Sequence, residues 1–215
     1  MPSTSQNSAE GSDLGITALA VRIAKWIVTQ SQNGIAGPID QADLQAVIAD
    51  TEVRELAKAI AKLESEGYLS TSPTITTVLS YMRATLDIFA TYDPIAGLGD
   101  PVADSLTLIE QVLGGKDSVN VRDLRKQTGW PIRRFNPAAG LVIARVDERR
   151  VGQESQNEYP ARHFFLMAED RVAVKRYAAS FACKTRRVPF ITISHRRRHC
   201  STTLSTRRPR RLVEA

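Results

Sequence analysis

The sequence predicts an α+β fold class, mainly α-helical with small β-hairpins, arranged as two similar domains in tandem. Apolar residues recur at intervals of three and four along several stretches, which is typical of amphipathic helices. Short apolar runs bounded by turn residues indicate hairpins. The same order of predicted elements occurs twice, about eighty residues apart. A chain of 215 residues, 42% of them hydrophobic, can bury two small cores.

The first predicted domain covers residues 14–92. Its first helix carries an apolar stripe of Ile16, Leu19, Ala20, Ile23 and Ile27. Turn and capping residues, among them Asn33-Gly34, Asp40, Thr51 and Gly67, mark the later boundaries. The predicted elements are a helix at 16–32, a strand at 34–39, a helix at 40–50, a helix at 51–66, strands at 68–70 and 74–76, and an amphipathic helix at 78–89.

The second predicted domain covers residues 105–183 and repeats this order. Gly114-Gly115 and Gly129 end its first two helices, and Asn136-Pro137, a capping side chain followed by proline, begins its third. The predicted elements are a helix at 106–113, a strand at 119–121, a helix at 122–128, a helix at 136–146, wing strands at 151–154 and 162–167, and a helix at 168–179.

The stretch LAKAIAKLESEGYLSTS, residues 56–72, resembles the third helix and wing entry of the winged helix-turn-helix superfamily. The resemblance covers residues 14–77 and indicates no particular family. It implies two winged helix-turn-helix domains in tandem. In such domains the third helix enters the DNA major groove and the wing reaches a phosphate or the minor groove.

Charge is unevenly distributed along the chain. Residues 1–115 contain 6 Lys and Arg against 14 Asp and Glu, residues 116–183 contain 13 against 8, and residues 184–215 contain 10 against 1. Because phosphate attracts cations, a nucleic-acid surface is expected in the second half of the chain. In the first domain, Arg54, Lys58 and Lys62 alternate with glutamates. That third helix is either a protein-contact or dimerisation surface or an ordinary solvated helix with i,i+4 pairs.

The candidate contacts to double-stranded DNA therefore lie in the second domain and the tail. On a winged helix they would converge on one face, unless they form a solvated basic surface with no ligand. Asn136 could read an adenine edge or serve only as a helix cap. The candidates are Arg122, Arg125, Lys126, Arg133, Arg134, Asn136, Arg149, Arg150, Arg162, Arg196, Arg197 and Arg198.

Three segments are expected to lie outside the two cores: a flexible arm at 1–13, a linker at 93–104, and a disordered Arg-rich tail at 184–215. The tail could hold any polyanion, have no partner, or reflect a displaced reading frame or cloning artefact. Cys183, directly before the tail, and the tail residues His195, His199 and Cys200 resemble half of a zinc finger, but the CxxC pair that should precede them is missing. No metal or cofactor is expected.

The chain contains none of the common nucleophile, nucleotide-binding or zinc-protease motifs, so a non-enzymatic protein is expected. It also lacks a long apolar run, which favours a cytoplasmic location without membrane contact. We expect a DNA-binding regulator of transcription or replication that dimerises on paired half-sites, in a layout similar to plasmid replication initiators. One alternative is an interaction scaffold that binds a protein through the first domain and the 78–89 helix. The other is a nuclease accessory subunit.

Overall fold

The computed structural model describes residues 16–72, 81–153 and 158–185. These residues form a mainly helical protein with two small antiparallel sheets of three strands each, so the predicted α+β class is confirmed. The predicted arm, the second strand of the first hairpin, the turn of the second wing and nearly all of the tail lie outside the described residues. We call residues 16–98 the first unit and residues 100–185 the second unit.

The first unit begins with a helix whose N-terminus is capped by Thr17, and Asp40 caps its second helix with bonds from two backbone N–H groups. Its third helix ends at Gly67, where a φ of 81° allows the N–H groups of Gly67 and Tyr68 to bond back to Glu64 and Leu63. Its elements are α1 (Ala18–Gln30), β1 (Pro38–Ile39), α2 (Gln41–Val47), α3 (Val53–Ser65), β2 (Leu69–Ser72), β3 (Tyr81–Ala84) and α4 (Leu86–Ala96).

The second unit repeats the order of helices and strands, and both sheets place the last strand in the centre, in the orders β1-β3-β2 and β4-β6-β5. A short 3₁₀ helix (Glu148–Arg150) precedes its hairpin. Its elements are α5 (Pro101–Gly114), β4 (Ser118–Asn120), α6 (Val121–Thr128), α7 (Ile132–Ile143), β5 (Val151–Gly152), β6 (His163–Phe165) and α8 (Ala168–Thr185).

Each unit has its own hydrophobic core. The first core is built around Leu44, Leu63, Met82, Phe89 and Tyr92. The second is built around Leu108, Phe135, Phe164, Leu166 and Val174. The amphipathic stripes read from the sequence supply most of these side chains, because a helix must bury its apolar face against another element.

Two predicted boundaries are wrong near the joint between the units. Residues 93–104 are mostly helix and not a linker, because Pro94 lies within α4 while Asp100 caps α5 and Pro101 occupies its first turn. Only residues 97–100 connect the two helices. Likewise, residues 78–89 do not form one helix: Met82 lies on β3, and Phe89 on α4 is buried in the first core. Of the predicted apolar face, the described residues Met82 and Phe89 are buried in the first core and Leu86 packs near Gly140, so these three are not free for a partner.

The third helix of the second unit also begins earlier than predicted. It starts at Ile132, after Pro131, so Asn136 lies inside α7 and does not cap it. The side chain of Asn136 is buried and bonds to carbonyl groups outside its own helix. A buried side-chain amide inside a helix must find its hydrogen-bond partners elsewhere in the fold, and the sequence pattern alone does not reveal those partners.

The two units pack against each other along α4 and α7. At Gly34, with a φ of 68°, an added Cβ would lie 2.8 Å from the backbone oxygen of Arg133 and from the Pro137 ring. At Gly140, an added Cβ would lie 2.9 Å from Leu86 Cδ1. Glycine at these two positions lets the first unit approach α7 at van der Waals distance.

Candidate nucleic-acid interface

Helix α7 occupies the position in the second unit that would read DNA in a winged helix, but it is packed inside the protein. Eight consecutive residues, Phe135 to Val142, are buried. Helices α5 and α4 both pack against it. A helix must expose one side to enter a major groove, and in this arrangement α7 reaches solvent only near its two ends.

Arg133 lies in that first turn and joins the two units. Its guanidinium nitrogens donate to both carboxylate oxygens of Asp93, at 2.8 and 2.7 Å, and to the backbone oxygen of Val28 at 2.9 Å. It also lies over the Phe89 ring, 5.2 Å from the centroid. The Asp93 side chain is 1% exposed, and burial raises the pKa of this carboxyl although the Arg133 hydrogen bonds and charge act in the opposite direction. Arg133 is therefore committed to an internal ion pair.

Arg134 is similarly engaged, but within the second unit. It forms two hydrogen bonds of 2.7 Å to Asp104 and lies over Trp130, 4.5 Å from the ring centroid. The hydrogen bond to Asp104 raises the pKa of the Arg134 guanidinium. Its side chain keeps 47% exposure, so its outer edge remains in contact with water.

Asn136 connects three segments of the chain. Its amide nitrogen donates to the backbone oxygens of Asn33 and Glu158, both at 2.8 Å, while Oδ1 has no partner among the described residues. The residue is 1% exposed. In this position Asn136 cannot reach a base edge; it holds the first unit and the wing of the second unit against α7.

Two further candidate arginines are also paired. Arg125 donates to the backbone oxygen of Trp130 and to the Tyr159 hydroxyl. Arg150 forms ion pairs with Glu169 and Asp170. Hydrogen bonds to both carboxylates raise the pKa of Arg150.

The Asp170 carboxylate receives bonds from several directions. Burial alone would raise its pKa, but the backbone N–H groups of Met167 and Asp147, together with Arg150, lower it. The pKa of Glu169 is lowered first by its own backbone N–H and then by Arg150. Both carboxylates are therefore held in the ionised form.

The remaining candidates in the second unit lie on the surface. Arg122 and Lys126 are one helical turn apart on α6, and a bond from Val121 N–H to the Arg162 carbonyl, 3.1 Å, places Arg162 beside the start of that helix. Arg122 pairs with Glu158 at 3.4 Å and Lys126 with Asp123 at 3.5 Å, all exposed. Arg149 and Arg162 are exposed and have no carboxylate partner among the described residues. We call Arg122, Lys126 and Arg162 the α6 cations.

On α3 of the first unit, charges of opposite sign neutralise each other. Lys58 pairs with Glu55 at 2.7 Å and Lys62 with Glu66 at 2.6 Å. This agrees with the expected pairing along the helix and leaves α3 without a strong attraction for phosphate. Arg196, Arg197 and Arg198 lie outside the described residues.

Sequence reasoning missed the acidic partners Asp93 and Asp104 and the cleft that forms beside the inter-unit contact. The cleft has a volume of about 880 Å³, and its lining includes Trp26, Asp43, Arg83, Phe89 and Ile143. The two aspartates fall within the segment that looked like a linker. The sequence signal for these two aspartates was the arginine pair at 133–134. Arginines on a packed helix need carboxylate partners elsewhere in the fold.

Among residues 16–72, 81–153 and 158–185, no group of three or more His, Cys, Asp and Glu side chains could hold a metal ion. The zinc-finger-like residues His195, His199 and Cys200 lie outside this part of the chain. No helix in the described part is long and apolar enough to cross a membrane. No known protein family, curated protein or solved structure matches the chain.

Proposed function

We propose that this chain is a tandem winged-helix adaptor, a non-enzymatic protein that binds a protein partner with its two units acting as one rigid body. The repeated element order and the identical strand order of the two sheets support the winged-helix assignment. The observation that carries the proposal is the burial of α7 from Phe135 to Val142. A helix used to join two units cannot also read base pairs.

The contact between the two units is costly to break. Arg133 and Asp93 form a two-point ion pair that is almost removed from solvent. Breaking such a pair leaves an uncompensated buried charge, which costs about 3–5 kcal/mol. Separation of the units during function would also expose Asn136 and the close contacts at Gly34 and Gly140.

Helix α3 is the surface of the first unit best suited to a protein partner. Only four of its residues, Leu56, Ala59, Ile60 and Leu63, are buried, and Val53 at its start is 54% exposed. Its paired charges make the exposed side polar but nearly neutral. Such a surface resembles the polar rim of a protein interface more than it resembles the cationic surfaces that bind a phosphate backbone.

A second candidate function is binding of duplex DNA through backbone contacts, in a regulator of transcription or replication. The α6 cations favour it, since exposed ion pairs like those of Arg122 and Lys126 contribute only about 0–1 kcal/mol and can be exchanged for phosphate. Recognition would then depend on the backbone, because α7 is not available to read bases.

A titration of fluorescent random duplex by the full-length protein distinguishes these functions. The test variant is Arg122→Gln with Arg162→Gln, and the matched control is Arg54→Gln with Arg83→Gln, two exposed arginines of the first unit. The adaptor proposal expects the two double variants to bind duplex alike between about 50 and 200 mM salt. A loss of duplex affinity in the test variant alone would instead support the DNA function. The slope of log affinity against log salt concentration should then be smaller in magnitude by about 2.

The adaptor proposal itself is tested by photo-crosslinking in cells. A crosslinking amino acid at Arg54 on α3 should attach to another polypeptide, whereas the same amino acid at Lys175 on α8 should not. Both positions are exposed. Equal crosslinking at the two positions, or crosslinks to nucleic acid at Arg54, would overturn the proposal.

A further inference from the structure

The central strand of the second sheet, β6, and the two residues that follow it are largely apolar on both sides. Phe164 and Leu166 point inward and are 1% exposed, whereas Phe165 and Met167 point outward and are 40% and 48% exposed. Together with the half-buried His163, the two outward residues form a line at every second position, which we call the outer stripe. Solvent-facing positions of an antiparallel sheet are ordinarily polar, so the outer stripe requires a separate explanation.

The neighbouring strands leave the outer stripe uncovered. His163 pairs with Gly152 on β5 and with Asn120 on β4, while Phe165 pairs with Ser118. The His163 ring lies over Gly152, where an added Cβ would collide with it. The rings of His163 and Phe165 meet edge to face, with centroids 5.3 Å apart and planes at 78°. Ser118, the partner of Phe165, is exposed and short, so the exposed side of the Phe165 ring is open to a flat ligand.

The charges around the outer stripe favour an anion. Lys116 lies two residues before Ser118, the partner of Phe165, and is exposed with no carboxylate partner among the described residues. The nearby carboxylates are already occupied: Asp117 pairs with Arg171 at 2.7 Å, and Glu169 pairs with Arg150. Lys116 therefore has no internal ion pair and is available to contact an anion.

We propose that the outer stripe binds single-stranded nucleic acid by stacking unpaired bases on Phe165 and His163, with Lys116 contacting the phosphates. Aromatic side chains on an open sheet combined with flanking cations are the usual means of holding unpaired bases. A protein partner fits less well, because a stable protein interface buries about 800 Å² on each side and this stripe offers three side chains. The proposal is independent of the adaptor function.

The experiment measures binding of a labelled oligothymidylate of about 15 nucleotides to the full-length protein by fluorescence anisotropy. Phe165→Ser is the test variant. Tyr81→Ser is the matched control, since Tyr81 is 44% exposed on the central strand of the first sheet. Unlabelled duplex is added to saturate cationic segments that bind any polyanion. We expect Phe165→Ser to weaken binding roughly tenfold and Tyr81→Ser to leave it unchanged.

A second measurement locates the contact. Photo-crosslinking with 5-iodouracil in the same oligonucleotide, followed by tryptic digestion and mass spectrometry, should mark the peptide His163–Arg171, which follows directly after Arg162. Equal binding by Phe165→Ser and Tyr81→Ser, or crosslinks confined to other peptides, overturns the proposal. So does a result in which Phe165→Ser abolishes binding of an acidic peptide of similar length and leaves oligothymidylate binding intact. Thermal unfolding followed by circular dichroism shows that both variants are folded.

Discussion

Helices α3 and α7 occupy the same place in the two units but have opposite surroundings. Helix α3 buries four of its thirteen residues and exposes a charge-balanced side. Helix α7 buries eight consecutive residues, and its first-turn arginines form ion pairs with Asp93 and Asp104. The comparison shows that one element order can leave a helix exposed in one copy and make it a structural joint in the other. Position in a fold therefore does not determine the use of a helix.

The largest expected effect is on the joint itself. Asp93→Asn removes the charge that Arg133 requires inside the protein, and the free energy of unfolding should fall by about 3–5 kcal/mol. Urea denaturation followed by circular dichroism measures this. Asp87→Asn, an exposed position on the same helix, is the control and should change stability by less than about 0.5 kcal/mol. Similar losses in the two variants would contradict an essential role for the inter-unit ion pair.

A second substitution compares the two helices directly. Gly140→Leu on α7 adds a side chain whose Cβ would lie only 2.9 Å from Leu86 Cδ1. This overpacking should lower the free energy of unfolding by about 1–3 kcal/mol. Ala57→Leu on α3 adds the larger side chain at an exposed position and should be nearly neutral. Thermal unfolding of both variants provides the measurement. Equal stability of Gly140→Leu and Ala57→Leu would contradict the close packing of α4 on α7.

Acid should weaken the contacts that Asp170 makes in the second unit. The pKa of Asp170 is lowered in the folded protein, so its stabilising contribution is complete above its unfolded pKa of about 3.9 and is lost as pH falls through the lower folded pKa. Urea unfolding of the wild-type protein between pH 6 and pH 3, as approximate limits, should show this decline. Asp170→Asn should make the dependence on pH shallower. A variant with an unchanged pH dependence would show that other carboxylates cause the acid sensitivity.

The smallest effect is expected on α3. Lys58→Ala removes an exposed i,i+3 pair with Glu55 and should lower stability by about 0.2–0.5 kcal/mol. High salt should reduce the difference further, because exposed ion pairs are screened. Denaturation at low and high salt tests this. A loss above about 1 kcal/mol would mean that α3 is more tightly integrated into the first unit than its exposure indicates.

Much of the fold could be predicted from the sequence, because helices and strands bury residues at characteristic spacings. The stripe from Ile16 to Ile27, the end of α3 at Gly67 and the end of α6 at Gly129 were all predicted, and they depend on local chemistry. The boundaries near Pro94 and Pro101 were not, because a proline can end a helix, lie within one or begin one depending on its neighbours.

The candidate site was harder to predict than the fold. Clustered arginines in the sequence suggested a surface, whereas Arg133 and Arg150 turned out to pair with carboxylates forty and twenty positions away. The sequence carries no local sign of such long-range pairs. The exposed Arg122 and Lys126 could be identified because they lie at helical spacing on a short, very polar helix.

The position of Asn136 has a consequence for how the protein melts. One side chain holds a carbonyl from the loop after α1 and another from the loop before β6, so neither hydrophobic core can open without releasing the same amide. Two cores linked in this way should unfold in a single calorimetric peak, with matching van't Hoff and calorimetric enthalpies. The chain would then behave as one cooperative folding unit despite its internal repeat.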